Sequence, residues 1–354
     1  MGIAVDEPAA VRAGEALDAG ALLAYLAARL PGASGPIEVR QFPHGYSNLT
    51  YLIRLGGGEF VLRRPPFGNR VKSAHDMGRE YRILSRLCRV YEPAPCPLLS
   101  CEDEGVLGAP FYLMERRRGI ILRKPPGDRP IPPGTVRRLC ESLVEGLARL
   151  HGLDYEAAGL GEIGKPEGYV ERQVTGWSRR YRDARTDDVP ALERAAEWLA
   201  ANRPAESGSA LIHNDFKFDN LVLDPDDLGR IVAVLDWEMA TIGDPLLDLG
   251  TTLGYWIEGD DPEPLRKFLA GPTALPGSLT RRELALYYAQ AAGRPVPDLL
   301  FYYVYGLFKI AVIAQQIYAR YVRGATRDPR FAALGAVVAA LGESAGRAID
   351  SGRV

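Results

Sequence analysis

Residues 213–220 read His-Asn-Asp-Phe-Lys-Phe-Asp-Asn, and an apolar run from Ile231 to Leu235 then delivers Asp236-Trp237-Glu238, sixteen positions beyond Asn220. Asp215, Lys217, Asn220 and Asp236 together carry the groups that phosphoryl transfer from a magnesium nucleotide requires near the transferred phosphorus. An Asp can accept the proton of an incoming hydroxyl, and an amide and a second carboxylate are hard oxygen ligands for magnesium, which takes few protein ligands and keeps several waters. Lys217 then meets the charge of the transferred group.

The elements that must position these residues are legible around them. Ser209 to Ile212 is a short apolar strand, so Asp215 falls in the loop that follows, and Leu221 to Leu223 is a second strand with Asn220 at its mouth. Residues 224–229 are a turn by composition and Arg230 to Leu235 the returning strand, so loop, hairpin and strand end are expected to converge. The competing assignment has Asp215 capping a helix and Asp236 ending a strand as a turn residue. The order base, lysine, amide, carboxylate weighs against it.

This stretch resembles the catalytic segment of the aminoglycoside phosphotransferase and choline kinase family, part of the protein-kinase-like superfamily. The longer string from His213 through Asp236-Trp237-Glu238 to Gly243-Asp-Pro-Leu-Leu-Asp248 is similar to the kinase-like domain fused to some acyl-CoA dehydrogenases. The resemblance implies an α+β, bilobal protein-kinase-like fold, with a β-rich nucleotide-binding lobe over residues 1–115 and a mainly helical catalytic and substrate-binding lobe over 116–354. It implies ATP and Mg2+ as cofactors, Asp215 and Lys217 as catalytic residues, and Asn220 and Asp236 as metal ligands.

The upstream sequence has the strands such a lobe needs. Ile37 to Phe42, Leu49 to Leu55 and Glu59 to Arg64 alternate in the strand manner, interrupted at Pro43-His-Gly45 and at Gly56-Gly-Gly58. Ser47 and Asn48 lie at the first hairpin, where related kinases cover the ATP phosphates; alone, a Gly in a hairpin is ordinary turn chemistry. Val61 and Arg63 share a strand face, which the resemblance sets against adenine and the α- and β-phosphates. Protein kinases have Lys at the Arg63 position, whose donor geometry differs. Arg64 points the other way and is expected in solvent. A helix over about Ser73 to Cys88 carries Met77, Glu80, Leu84 and Leu87 as one stripe, so Glu80 is a carboxylate on an apolar face with Arg63 as its expected partner. Pairing with Arg79 or Arg82 at the surface is the alternative. The apolar run Ala109 to Met114, ending at Glu115 and Arg116, resembles the hinge, with Met114 guarding the pocket and Glu115 and Arg116 offering backbone groups to adenine.

Departures from the protein kinases narrow the acceptor. Asn214 stands where they carry Arg, Trp237-Glu238 replaces Phe-Gly, and Thr241 to Pro245 leads directly towards a helix with no Ala-Pro-Glu after an activation segment. Without a platform for a peptide, a small-molecule hydroxyl is favoured. Glu238 is open between metal shell, substrate and cap.

Composition sets the remaining bounds. The 354 residues, 47% hydrophobic, suffice for two lobes' worth of core. A net charge of −2 and a pI near 6.2 give no reason to expect nucleic acid. Arg116-Arg-Arg118 with Arg123-Lys124 reads as a solvated face, or alternatively as a seat for a phosphate-bearing coenzyme A ester. Cys88, Cys96, Cys101 and Cys140 lack metal spacing, and the N-terminus lacks a signal core, so reduced thiols and a cytoplasmic location are expected. The stretch Leu299 to Tyr318 is interrupted by Lys309 and Gln315-Gln316 and reads as a buried helix, with no membrane partner. His213 is expected to hold its loop; His44, His75 and His151 are expected to be local hydrogen-bonders. A monomer or homodimer is expected.

Helices are expected over Leu17 to Leu30, Gly134 to His151, within Val170 to Asn202, and over 264–269, 281–292, 297–322 and 330–350. The expected function is ATP- and Mg-dependent phosphorylation of a small-molecule hydroxyl, of a hydroxyacyl-type metabolite. The alternatives are an aminoglycoside- or macrolide-type acceptor, or a catalytically idle kinase-like binding module. Phe301, Tyr302, Tyr303, Tyr305 and Phe308 with Tyr255-Trp256 suit a partly apolar acceptor if they line its mouth, or are simply core; the acidic loop Glu258 to Glu263 could attract an aminoglycoside.

Overall fold

Alternating strands near the N-terminus need cover on both faces of the sheet they build, and long amphipathic helices downstream need one another. The computed structural model describes residues 3–43, 48–67, 76–125, 130–269, 271–326 and 328–354. The chain divides into two compact units. One comprises Met1–Ile121, Val222–Asp226 and Val232–Glu238, the other Leu122–Leu221, Asp227–Ile231 and Met239–Val354.

The first unit runs α1 (Ala19–Ala27), β1 (Glu38–Gln41), β2 (Leu49–Leu55), β3 (Gly58–Arg64), α2 (Met77–Leu87), β4 (Pro97–Cys101), α3 (Glu104–Leu107) and β5 (Phe111–Glu115). Its antiparallel sheet has the order β1-β2-β3-β5-β4. The β2–β3 hairpin turns on Gly56 and Gly57, at φ 59° and 79°, the left-handed pair that a two-residue turn matching strand twist demands. One sheet face carries Tyr51, Ile53, Leu62, Phe111 and Leu113 into a core closed by Leu22 and Leu26 of α1. The other carries Val61 opposite Met114 and Arg63 opposite Tyr112. Helix α2 starts at an Asp76 cap that accepts from the Arg79 N–H at 2.8 Å, and turns Met77, Glu80, Ile83, Leu84 and Leu87 inward. Strand β4 and the one-turn α3 are additions to the expected elements; Pro97 and four-residue length blurred both signals.

In the second unit α4 (Pro133–His151) is followed by α5 (Tyr169–Ala184), α6 (Pro190–Ala201) and β6 (Ala210–Ile212). The helical stretch expected over 170–202 is thus two helices, since Pro190 suits only a first turn. Strands β7 (Leu221–Leu223) and β8 (Ile231–Val234) pair with each other and lie mostly in the first unit. Next come β9 (Thr241–Gly243), antiparallel to β6, then α7 (Pro245–Tyr255), α8 (Glu263–Phe268), α9 (Arg281–Ala291), α10 (Leu299–Val322) and α11 (Leu334–Ser351). The step from Thr241 to the helix therefore includes one short strand. Helix α10 is long and apolar enough to cross a membrane, yet 78% of its most apolar window is buried against its neighbours. Glycine lets α7 and α10 touch: a Cβ on Gly306 would stand 1.9 Å from the Gly250 carbonyl oxygen.

The mixed α+β architecture, sheet in the first unit and helices in the second, is the kinase-like fold class that the sequence implies.

Candidate active site

The loop after β6 is built around Asp215. Lys217 Nζ donates to its Oδ1 at 2.9 Å, and Asn220 Nδ2 donates to its Oδ2 at 2.9 Å and to its carbonyl oxygen at 2.8 Å. Committing the Asn220 nitrogen to Asp215 turns the amide oxygen away from that carboxylate. Lys217 also lies 4.2 Å from the centroid of the Tyr255 ring. Burial works against the lysine's charge, but the Asp215 carboxylate overrides it and raises the pKa. The base and the cation are thus one hydrogen-bonded unit.

What fixes this loop is Asp248 of α7, wholly buried. Its Oδ2 accepts the His213 N–H at 2.7 Å and faces His151 Nε2 at 3.1 Å, and its Oδ1 accepts the Asn214 N–H at 2.7 Å. His151 Nδ1 meets the Tyr288 hydroxyl at 2.7 Å. Burial pushes the Asp248 pKa up, yet His151, His213 and Lys309 outweigh it and hold the group below its ordinary value. His213 keeps the loop from within: its Nδ1 accepts the Asp215 N–H at 3.2 Å. Asn214 is left-handed at φ 68°, a conformation that Asn tolerates far better than Arg. His151 is no local hydrogen-bonder, for its partners are 97 and 137 positions away. Its sequence signal was weak because one His ending an amphipathic helix looks like a surface residue.

Within the first unit a second cluster surrounds Arg63. Its guanidinium donates to Glu80 at 2.6 Å and to Asp236 at 2.8 Å. Glu80, 1% exposed, also accepts the Trp237 N–H at 3.1 Å. Burial opposes the Arg63 charge, but Glu80, Tyr112 and Asp236 keep its pKa raised. The surface alternative for Glu80 is not realised. Asp236 is left-handed at φ 68°, and Trp237 buries its ring after it, donating Nε1–H to the Val234 carbonyl at 2.8 Å. Glu238 takes the Asn48 amide N–H at 2.7 Å on its side chain and Arg79 on its carbonyl at 3.1 Å. It ties the β2 entrance to the strand end, a role outside the three weighed from the sequence.

Val61 and Met114 are register partners on the Arg63 face. The Glu115 N–H is donated to the Cys96 carbonyl at 3.0 Å, and its carboxylate takes the Cys96 N–H at 2.7 Å. Ser47 lies outside the described residues. Two arginine expectations change. Arg64 is buried, not solvated, donating to the Leu107 carbonyl at 3.0 Å with Phe67 against it at 3.7 Å, because α3 covers that side. The Arg116 side chain is 3% exposed and ion-paired with Glu59 at 2.8 Å and Glu7 at 3.0 Å. Arg118 also pairs with Glu59, at 2.6 Å. These arginines pin the N-terminal segment, so the solvated-face reading fails for Arg116.

The aromatic row of α10 is core: Phe301, Tyr302, Tyr303, Tyr305 and Phe308 are all buried, as is Trp256, leaving Tyr255 partly exposed. The acidic loop is spoken for in part. Buried Arg281 pairs with Glu258 at 3.3 Å and with Asp261, and donates to the Trp256 carbonyl at 2.9 Å.

The profile of the phosphotransferase enzyme family matches residues 38–287. Acyl-CoA dehydrogenase family member 10 of Mus musculus is 38% identical over 82% of this chain, which spans 27% of that protein. Acyl-CoA dehydrogenase family member 11 of Gallus gallus is 37% identical over 89% of the chain and 41% of its own length. The chain therefore spans well under half of these curated relatives. A crystal structure from Ralstonia eutropha JMP134, provisionally called an aminoglycoside phosphotransferase, is 31% identical with a TM-score of 0.78, covering 94% of this chain and 99% of that one. The chain belongs to the phosphotransferase enzyme family.

Proposed function

We propose that this protein transfers the γ-phosphoryl group of ATP, with magnesium, to the hydroxyl of an acyl-type metabolite. The observation that carries the reading is the Asp215 carboxylate, oriented at once by Lys217 at 2.9 Å and Asn220 at 2.9 Å on a loop fixed by Asp248. A carboxylate so held accepts the proton of the acceptor hydroxyl as the oxygen attacks. Lys217 shares its charge with Asp215 and balances the transferred group. Arg63 offers a planar fork beside Asp236, suited to phosphate oxygens.

Magnesium suits the donor set. Asn220, its nitrogen committed to Asp215, and Asp236 each offer a hard oxygen of the kind magnesium takes, and each is proposed as a ligand on the strength of the sequence motif. Bound there, magnesium would neutralise the triphosphate charge. Val61, Met114 and the backbone of Glu115 and Arg116 are proposed for adenine, and Ser47 and Asn48 for the phosphates.

The acyl-type acceptor is supported by the relatives, whose names attach a stretch like this one to acyl-CoA dehydrogenases. An antibiotic acceptor loses support from the acidic loop, since Arg281 already ion-pairs with both Glu258 and Asp261 and offsets part of their charge. An idle binding module is disfavoured because base, lysine, amide and metal carboxylate are all present. The test is ATP consumption across hydroxylated metabolites, hydroxyacyl esters and antibiotics, with the Asp215→Asn protein as control. No acceptor-dependent consumption anywhere in the panel would favour the idle module.

A further inference from the structure

Helix α10 is apolar almost throughout, yet at its middle stands Lys309, 1% exposed. The ammonium donates to the Asn214 carbonyl at 2.8 Å, to Asn214 Oδ1 at 3.0 Å and to Thr251 Oγ1 at 3.2 Å. None of the three acceptors can turn into a donor. The Thr251 hydroxyl proton is spent on the Leu247 carbonyl at 2.9 Å, and the Asn214 amide is fixed by its Nδ2 donating to the Met239 carbonyl at 3.1 Å. Three acceptors need three N–H bonds, which only the charged amine has. The tight α7–α10 contact through Gly250 and Gly306 is what brings Thr251 within reach.

The carbonyl that Lys309 holds belongs to the peptide joining Asn214 to Asp215. The N–H of the same peptide is held by His213 Nδ1 at 3.2 Å. Both ends of this plane are therefore fixed, and it follows a residue held at φ 68°. We propose that Lys309 is a positioning residue: its ammonium sets the peptide plane from which the Asp215 side chain springs, and thereby aims the carboxylate at the acceptor hydroxyl. This rests on Asp215 being the base.

The charged groups facing Lys309 are Asp248 on α7, Asp215 and Lys217 on the loop, and Arg180 on α5, with the Trp177 ring of α5 at 5.8 Å. Burial brings its pKa down to about 8, against the pull of Asp248 and Asp215. As pH rises through that value one of the three bonds is lost, so turnover falls. Stability moves the other way. A base with a depressed folded-state pKa is cheaper to bury neutral, so this group's contribution to stability rises between about pH 8 and the ordinary lysine range. An alkaline fall in kcat without a fall in melting temperature separates aiming from mere structural support.

The experiment compares wild type, Lys309→Met and Thr251→Val by ATP turnover from pH 6.5 to 10, with water as acceptor if no alcohol has been found, and by hydrogen exchange of the amides of 213–216. For Lys309→Met the expectation is a kcat lower by roughly 10²-fold, as a misplaced catalytic group costs. The KM for ATP stays within about twofold, the alkaline limb disappears and the loop amides exchange faster. Thr251→Val, which leaves two acceptors for a neutral amine, should move the limb down by roughly one pH unit; it decides the matter if the methionine variant does not fold. An unchanged kcat, an alkaline limb surviving in Lys309→Met, or a limb unmoved in Thr251→Val overturns the proposal. If wild type has no turnover at all, the phosphotransfer reading has failed, and exchange alone decides whether Lys309 holds the loop: faster amides support it, unchanged amides sink it.

Discussion

The Arg63 guanidinium donates to the Asp236 carboxylate across 2.8 Å while holding Glu80 at 2.6 Å. A planar fork can serve two carboxylates in this way, where the compact ammonium of a lysine serves them poorly. Since Arg63 and Glu80 are both buried, removing Arg63 leaves Glu80 without its cation, and removing Glu80 leaves Arg63 with Asp236 alone. Arg63→Met and Glu80→Gln should each weaken ATP affinity and lower stability, with a coupling of about 0.5–3 kcal/mol between them. A double-mutant cycle on nucleotide affinity and on denaturant unfolding measures it; full additivity would mean that the contact carries no energy.

Asp215→Asn removes the proton acceptor while keeping the shape. Turnover should fall by about 10²- to 10⁴-fold with ATP affinity nearly intact. The new amide must face either Lys217 or Asn220 with its NH2, so a stability loss of about 1 kcal/mol accompanies it. Steady-state kinetics with calorimetry checks both, and a rate within twofold of wild type would falsify the assignment.

How much of this was legible follows from where the information sits. The order of Asp215, Lys217, Asn220 and Asp236 is local, and so is the period-two placement of Val61 and Arg63; short segments suffice to read them. The α2 stripe also showed Glu80 as a carboxylate needing a buried partner. By contrast His151, Asp248, Tyr288 and Lys309 meet only through tertiary contacts spanning up to 137 positions, and no periodicity records that. Arg64 and Arg116 misled because a charged residue at a strand end looks solvated until α3, Glu7 and Glu59 are seen to cover it. The α10 aromatics look the same in sequence whether they line a mouth or fill a core; burial decided for the core.

Asp248 makes stability depend on acid. Its pKa is held low in the fold, so its contribution is fully present above the ordinary carboxylate value of about 3.9 and drains away as pH falls towards and through the lower folded value. Asp248→Asn should cost about 3–5 kcal/mol at neutral pH, because a buried charge that accepts three N–H bonds is lost. It should also flatten the acid side of the stability profile. Melting temperatures from pH 3 to 7 for both proteins test this, and parallel profiles would argue that Asp248 is not the group responsible.

The acceptor prediction turns on the acidic loop. Of the loop's four carboxylates, Glu258 and Asp261 are held by buried Arg281, which packs against the Tyr303 ring at 4.9 Å, and Glu263 pairs with Lys267 at 2.5 Å, leaving Asp260 exposed. To bind Glu258 and Asp261 a kanamycin-like compound must displace an internal guanidinium, which costs more than an exposed pair would. Wild type should therefore turn over aminoglycosides with kcat/KM well below about 10⁴ M⁻¹s⁻¹, the lower edge for a true substrate, while a hydroxyacyl ester exceeds it. Arg281→Met should raise affinity for kanamycin relative to the ester, provided the protein keeps its melting transition. Efficient aminoglycoside turnover by wild type would move the acceptor assignment to the antibiotic class, since the loop would then be engaging cations despite Arg281.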